Sequence, residues 1–170
     1  MTDAMPINPA AIFCRSLAQL AAMLDKTGTA PQLLAARLHP DMLPFAQQVR
    51  AAVSFSLRGC CPLAGLAVAD FSGAASLHEQ IAQTMRYLQA IPAEHFDGPP
   101  DRICRDRAGF ADIALPADEY LNLYILPNFY FHFSMAYAIA RSAGVAIGKG
   151  DFDGYHAYAP GFSFETPAAL

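Results

Sequence analysis

From Tyr120 to Ala140 the chain reads YLNLYILPNFYFHFSMAYAIA, a run with no Asp, Glu, Lys or Arg. Apolar or aromatic groups point in nearly every helical direction, so the run predicts a helix enclosed by others, without a solvent face. The segments before it supply amphipathic cover. A first helix is expected from Pro9, with Asn8 as N-cap and proline at the first helical position. Its stripe is Ile12, Leu17, Leu20 and Leu24, with Phe13 and Met23 alongside, and Asp25 to Gly28 ends it. Pro31 opens a short helical piece through Leu38, and Asp41 is read as the cap of a second long helix. That helix should turn Leu43, Val49, Ala52, Val53, Phe55 and Leu57 inward and end or kink between Gly59 and Pro62.

After a polar linker at Ser72–Ser76, Leu77, Ile81, Thr84, Met85 and Leu88 mark a third helix. Helical periodicity is lost from Pro92 to Pro116, where alternating residues around Arg107-Ala108-Gly109 predict a small hairpin. Pro127 should split the last helical region into a lead-in and a main helix, and Gly144 stands where a left-handed C-terminal residue is wanted. The expected core includes Ile12, Leu20, Val49, Ile81, Leu88, Phe129, Phe133 and Ile139. The reading is all-α: a bundle of four main helices within one domain, residues 1–170, with an irregular tail over 145–170.

Composition sharpens this picture. Charged residues are 15% of the 170-residue chain and hydrophobic residues 54%, against roughly 25% charged in an average soluble domain. So little charge implies a further apolar surface covered by a subunit, and a homodimer is expected. A net charge of −4 with 11 scattered Lys and Arg residues argues against nucleic acid as a partner. The polar residues inside Tyr120–Ala140 and the absence of a basic flank argue against the membrane. The N-terminus fails the signal-peptide pattern, and four cysteines without a paired spacing read as reduced thiols, so a cytoplasmic location is expected.

The run LPNFYFHFSMAYAIARSAGVAIGKGDFDG, Leu126 to Gly154, together with ARLHPDMLPFAQQV, Ala36 to Val49, resembles the domain-of-unknown-function family 1993 (DUF1993). That family is placed among the DinB/YfiT-like proteins. The resemblance implies a four-helix bundle in up-down-down-up order, often dimeric, with a hairpin or irregular insertion before the last helix. Studied relatives hold a divalent metal on three histidines, one on the second helix and two a turn apart on the fourth, and some transfer thiols. This chain departs from that pattern. On the last helix His132 stands alone, with Asn128 four residues before and Ala136 four after, and the second helix carries Ser54-Phe55 where many family members have Asp-His.

Asn128 shares a helical face with His132, as a ligand or acid-base pair or as a buried histidine with a polar neighbour; the second reading is preferred, since one imidazole makes a poor metal site. Tyr130, Ser134, Tyr137 and Arg141 form another stripe that could orient a small anion, though packing with one hydrogen bond each is the simpler account. Arg37 and Asp41 are expected to pair, and Cys60-Cys61 to be buried apolar thiols. No phosphate loop, dinucleotide glycine motif, nucleophile elbow or zinc-protease motif occurs. Whether the protein is an enzyme stays open. The reading is a non-catalytic dimer with a degenerate metal site and no cofactor, binding a small apolar or amphipathic ligand between helices. The alternative is a metal-dependent transferase of thiol-transfer type, with a divalent metal at a site other than the triad.

Overall fold

The structure is a computed structural model, and it describes residues 8–28, 31–99, 101–159 and 161–164. Helix α1 spans Pro9–Thr27, α2 Pro31–Ala35, α3 Phe45–Leu63 and α4 Leu77–Gln89; strands β1, Ile103–Ala108, and β2, Ala111–Pro116, follow. A last helical path runs through α5, Ala117–Glu119, a π-helical stretch, Tyr120–Ile125, and α6, Leu126–Ser142; then comes α7, Lys149–Asp153. The chain is mostly helical with one small two-stranded sheet among the described residues.

Local chemistry sets most boundaries. Asn8 Oδ1 accepts a hydrogen bond from the Ala10 amide at 2.8 Å, and Ser76 Oγ accepts from the Glu79 amide at 3.1 Å, so α1 and α4 start on capped ends. In α4 the acidic Glu79 lies in the first turn and the basic Arg86 in the last, both favourable to the helix dipole. At the end of α6, Gly144 has φ +85°, and the amides of Gly144 and Val145 donate to the carbonyls of Arg141 and Ala140 at 3.0 Å each. That double bond closes the helix as a left-handed glycine does. Gly109 and Phe110 link the antiparallel strands, with Ala108 opposite Ala111.

The core is built on the seam between α3 and α6, the most extensive helix contact, with α1 packed on α4 and on α7. Phe13, Leu17, Leu20, Phe45, Val49, Leu88, Phe129 and Phe133 are fully buried, with Ile81 and Ile139 at 1% exposure. Gly59 permits a close approach inside this core: a Cβ there would stand 2.6 Å from Ile125 Cγ2 and 3.3 Å from Phe13 Cε2.

Several expectations are corrected. Ile12 is half-buried because Phe13, one position on, takes the inward direction. Leu43 precedes α3 and is 46% exposed. Asp41 does not cap α3, which starts after Pro44 with no side-chain cap. Nor does it pair with Arg37: Asp41 meets His39, while Arg37 Nη1 donates to the Met42 carbonyl at 2.9 Å. The short helix after Pro31 ends at Ala35, and α3 continues through Gly59 and Pro62 to Leu63. Pro127 does stand at the division between a lead-in, Ala117–Ile125, and the main helix α6, in whose first turn it lies, but the helical path stays continuous there because the π-helical turns before it bond to residues five back, as in Leu126 amide to Leu121 carbonyl.

The stretch expected to lack a solvent face has one. Leu123 is 70% exposed, Phe131 52% and Tyr130 36%. A charge-free pattern cannot separate core-facing positions from apolar surface. Within 145–170, expected as irregular, α7 forms one helical turn whose Phe152 stacks on Phe133 with ring centroids 4.3 Å apart. Lys26 on α1 fastens it through Asp151 at 2.7 Å. Residues 165–170 lie outside the described residues. Among the described residues no helix is long and apolar enough to cross a membrane.

Candidate functional site

Where α3 faces the last helical path and the hairpin, seven side chains form one connected layer. Gln48, in the first turn of α3 and 2% exposed, donates from Nε2 to the Leu43 carbonyl at 3.2 Å, which turns its oxygen toward α6. That oxygen lies 2.8 Å from His132 Nδ1. An amide oxygen accepts only, so Nδ1 carries the hydrogen and the neutral ring keeps its lone pair on Nε2. Phe55 stacks on the imidazole with centroids 5.5 Å apart at 22°. The Arg58 guanidinium also lies over Phe55, 4.2 Å from the ring centroid.

Arg58 in turn holds Asp106 of β1. Its Nε donates to Oδ2 at 2.9 Å and Oδ1 at 3.2 Å, and Nη2 approaches Oδ2 at 2.8 Å. The same Nη2 donates to the Tyr124 hydroxyl at 2.7 Å and the Arg107 carbonyl at 3.0 Å. The fully buried Tyr120 directs its hydroxyl to the Arg58 carbonyl at 2.9 Å and Asp106 Oδ2 at 3.1 Å. The hairpin is thereby locked to α3 and the π-helical stretch. Burial, then the Arg58 charge, holds the His132 pKa below its ordinary value. Burial, then the Asp106 carboxylate, pushes the Tyr120 phenol up, so it stays protonated.

The remaining candidates are placed apart. Asn128 turns Nδ2 back to the Tyr124 carbonyl at 2.7 Å, serving the junction between π- and α-helix rather than His132. Tyr130 Oη lies 3.2 Å from Ser16 Oγ, across from α1. Ser134 is half-buried on α6, Tyr137 packs edge-on against Phe152, and Arg141 Nη1 donates to the Ile147 carbonyl at 2.8 Å. Tyr137 and Arg141 thus secure the chain leading to α7. All four cysteines are buried, and burial pushes Cys14, Cys60 and Cys104 up, which keeps them as unreactive thiols near neutral pH. Sequence reasoning missed Gln48, Arg58 and Asp106. Their signal was faint: one of two arginines on an apolar helix and an acidic residue in a strand, brought together only by the hairpin's docking.

The donor set between α3 and α6 does not fit a three-histidine metal site. His132 commits Nδ1 to Gln48, Phe55 covers the ring, Asn128 faces its own helix, and no group of three His, Cys, Asp or Glu suited to a metal occurs among the described residues. One imidazole nitrogen remains, short of the three protein ligands an open zinc site uses.

A cleft of about 410 Å³ opens elsewhere, between α1, α6 and the α7 segment. Ile12, Tyr130, Phe152 and Tyr155 give it apolar walls, with Arg15 and Ser16 at its polar side. Arg15 lies 4.1 Å from the Tyr155 ring centroid and donates to the Asp153 carbonyl at 3.3 Å.

No curated protein matches the chain. Among solved structures, it is similar to a crystal structure of a DinB family member protein from Shewanella denitrificans, 26% identical with a TM-score of 0.76, the match covering 88% of this chain and 92% of that one. The family model described as a domain of unknown function, DUF1993, matches residues 9–153. This span takes in α1 through α7, the layered contacts and all of the cleft's walls but Tyr155, and the chain belongs to the DUF1993 family.

Proposed function

We propose that this protein is a DinB-like four-helix bundle in up-down-down-up order that works without a metal, as a homodimer binding a small amphipathic ligand between helices. One observation carries the reading: at the seam between α3 and α6, the Phe55 ring and the Gln48 amide occupy His132, so the position offers packing where a metal centre needs donors. The cleft between α1, α6 and α7 supplies the ligand's place. Its apolar walls suit a hydrocarbon or aromatic body, and Arg15 with the Ser16 and Tyr130 hydroxyls suits a polar end.

Two measurements test this. Elemental analysis of tag-free protein dialysed against a weak chelator should find no stoichiometric transition metal; about one zinc, nickel or iron per chain, lost in His132→Ala, would restore a metal-dependent transferase. For the ligand, 8-anilinonaphthalene-1-sulfonate should bind saturably and lose most of its fluorescence gain in Ala11→Glu, which puts a charge into the cleft from an exposed position. Equal binding to both proteins would move the ligand elsewhere.

A further inference from the structure

A second groove lies on the other side of α3, away from the seam with α6. Arg50, Ser54 and Leu57 follow one another at helical spacing along this face, and the segment carrying Asp70 and Phe71 forms the opposite wall. The space is about 320 Å³, at the small end of ligand clefts, which run from about 300 to 1,000 Å³. Its floor is Gln80 of α4, only 7% exposed, whose side-chain amide makes no hydrogen bond among the described residues. Thr84 Oγ1 is the buried side-chain polar atom left without a partner among the described residues, so the Gln80 amide keeps contact with solvent and is open to a ligand.

The charges on the two walls are also uncommitted. Arg50 makes no ion pair, hydrogen bond or ring contact among the described residues. Asp70 Oδ1 accepts from the Ser72 amide at 2.8 Å, which fixes the turn, and the carboxylate has no cationic partner among the described residues. The two line one groove without pairing with each other. A simple anion drawn to Arg50 meets the Asp70 carboxylate, and a simple cation drawn to Asp70 meets the guanidinium. A molecule carrying both charges satisfies both walls.

We infer that this groove binds a small zwitterion with an apolar side chain, of the chemical class of a free α-amino acid. The ligand carboxylate pairs with the Arg50 guanidinium, a geometry that allows two parallel hydrogen bonds. The ammonium pairs with Asp70, the side chain lies on Leu57 and Phe71, and the Gln80 amide meets a polar atom of the ligand. Ser54 supplies a hydroxyl at the Arg50 side.

The test is a proton–nitrogen chemical-shift titration of the full chain with three probes: L-leucine, N-acetyl-L-leucine, which lacks the ammonium, and L-leucinamide, which lacks the carboxylate. L-leucine should shift the amides of α3 and the 69–72 segment saturably, and each altered probe should bind roughly tenfold more weakly, the worth of one charge-assisted hydrogen bond. Arg50→Gln should weaken L-leucine similarly and leave L-leucinamide unchanged; Asp70→Asn should weaken L-leucine and leave N-acetyl-L-leucine unchanged. Both side chains are exposed, so spectra away from the groove report that each variant folds. No saturable shift with L-leucine, equal binding of the three probes, or indifference to Arg50→Gln would each overturn the assignment.

Discussion

At the scale of single residues the Arg58–Asp106 pair is where most is at stake. The side chains are 22% and 15% exposed, and they tie α3 to the hairpin and to both tyrosines. Removing one partner strands the other charge in a largely dry place, whereas replacing both with apolar groups removes the desolvation cost along with the attraction. Asp106→Ala should therefore lower stability by about 2–3 kcal/mol in urea denaturation, allowing for the residual exposure. Asp106→Leu combined with Arg58→Met should lose less than Asp106→Ala alone; an additive double loss would refute that account. His132 offers a pH test. Its pKa is lowered in the fold, so the unfolded chain takes the proton first as pH falls. Stability is whole above the unfolded value of about 6.5 and declines as pH drops from there through the lower folded value. His132→Gln, which can keep a bond to Gln48, should flatten that decline, while the Asp151 and Asp153 carboxylates, whose pKa values are lowered, act at more acid pH. Identical pH slopes in the two proteins would remove burial as the cause. His132 was legible in the sequence as the odd histidine of an apolar helix. Its partners were not, because Gln48 lies 84 positions away and the contact exists only after the helices pack.

Among elements, those governed by nearest neighbours were readable and those governed by packing were not. The Asn8 cap, the hairpin around Gly109 and the left-handed Gly144 each follow from a few adjacent residues. Gly59 and Pro127 marked places of close packing rather than interruptions of the helical path. Both normally interrupt helices, yet here Gly59 is kept as a place for Ile125 to enter, and the π-helical stretch brings Ile125 there while relieving the proline. Gly59→Ala should thus destabilise despite alanine's better helix propensity. The added methyl meets a buried Ile125 Cγ2 at 2.6 Å, and overpacking of this kind costs roughly 1–3 kcal/mol against a propensity gain of about 1 kcal/mol. A net loss in calorimetry is the expected result. A gain in melting temperature would show that the π-helical stretch can yield, and the close approach would no longer explain the glycine.

For the whole molecule the telling quantity is apolar surface left outside. Leu123, Pro127 and Phe131 recur at one-turn spacing along the last helical path and are all exposed, Leu123 at 70% and Phe131 at 52%. None of their neighbours from Tyr120 to Ala140 carries a charge. A stripe of this kind is self-complementary: two copies related by a two-fold axis can lay one stripe against the other, each residue meeting its counterpart's surroundings. Low charge in the sequence pointed toward such a surface but not to its place, since burial against one's own core and against a second copy leave the same mark on composition. The homodimer we propose should bury more than about 1,000 Å² in total, the extent of a specific association. Light scattering at micromolar concentration should give the mass of two chains. Leu123→Asp with Phe131→Asp should give one, with an unchanged circular dichroism spectrum, because both side chains lie outside the core and the acquired charges repel across the axis. A wild-type monomer under these conditions would refute the dimer, and a dimer indifferent to the double substitution would move its interface off α6.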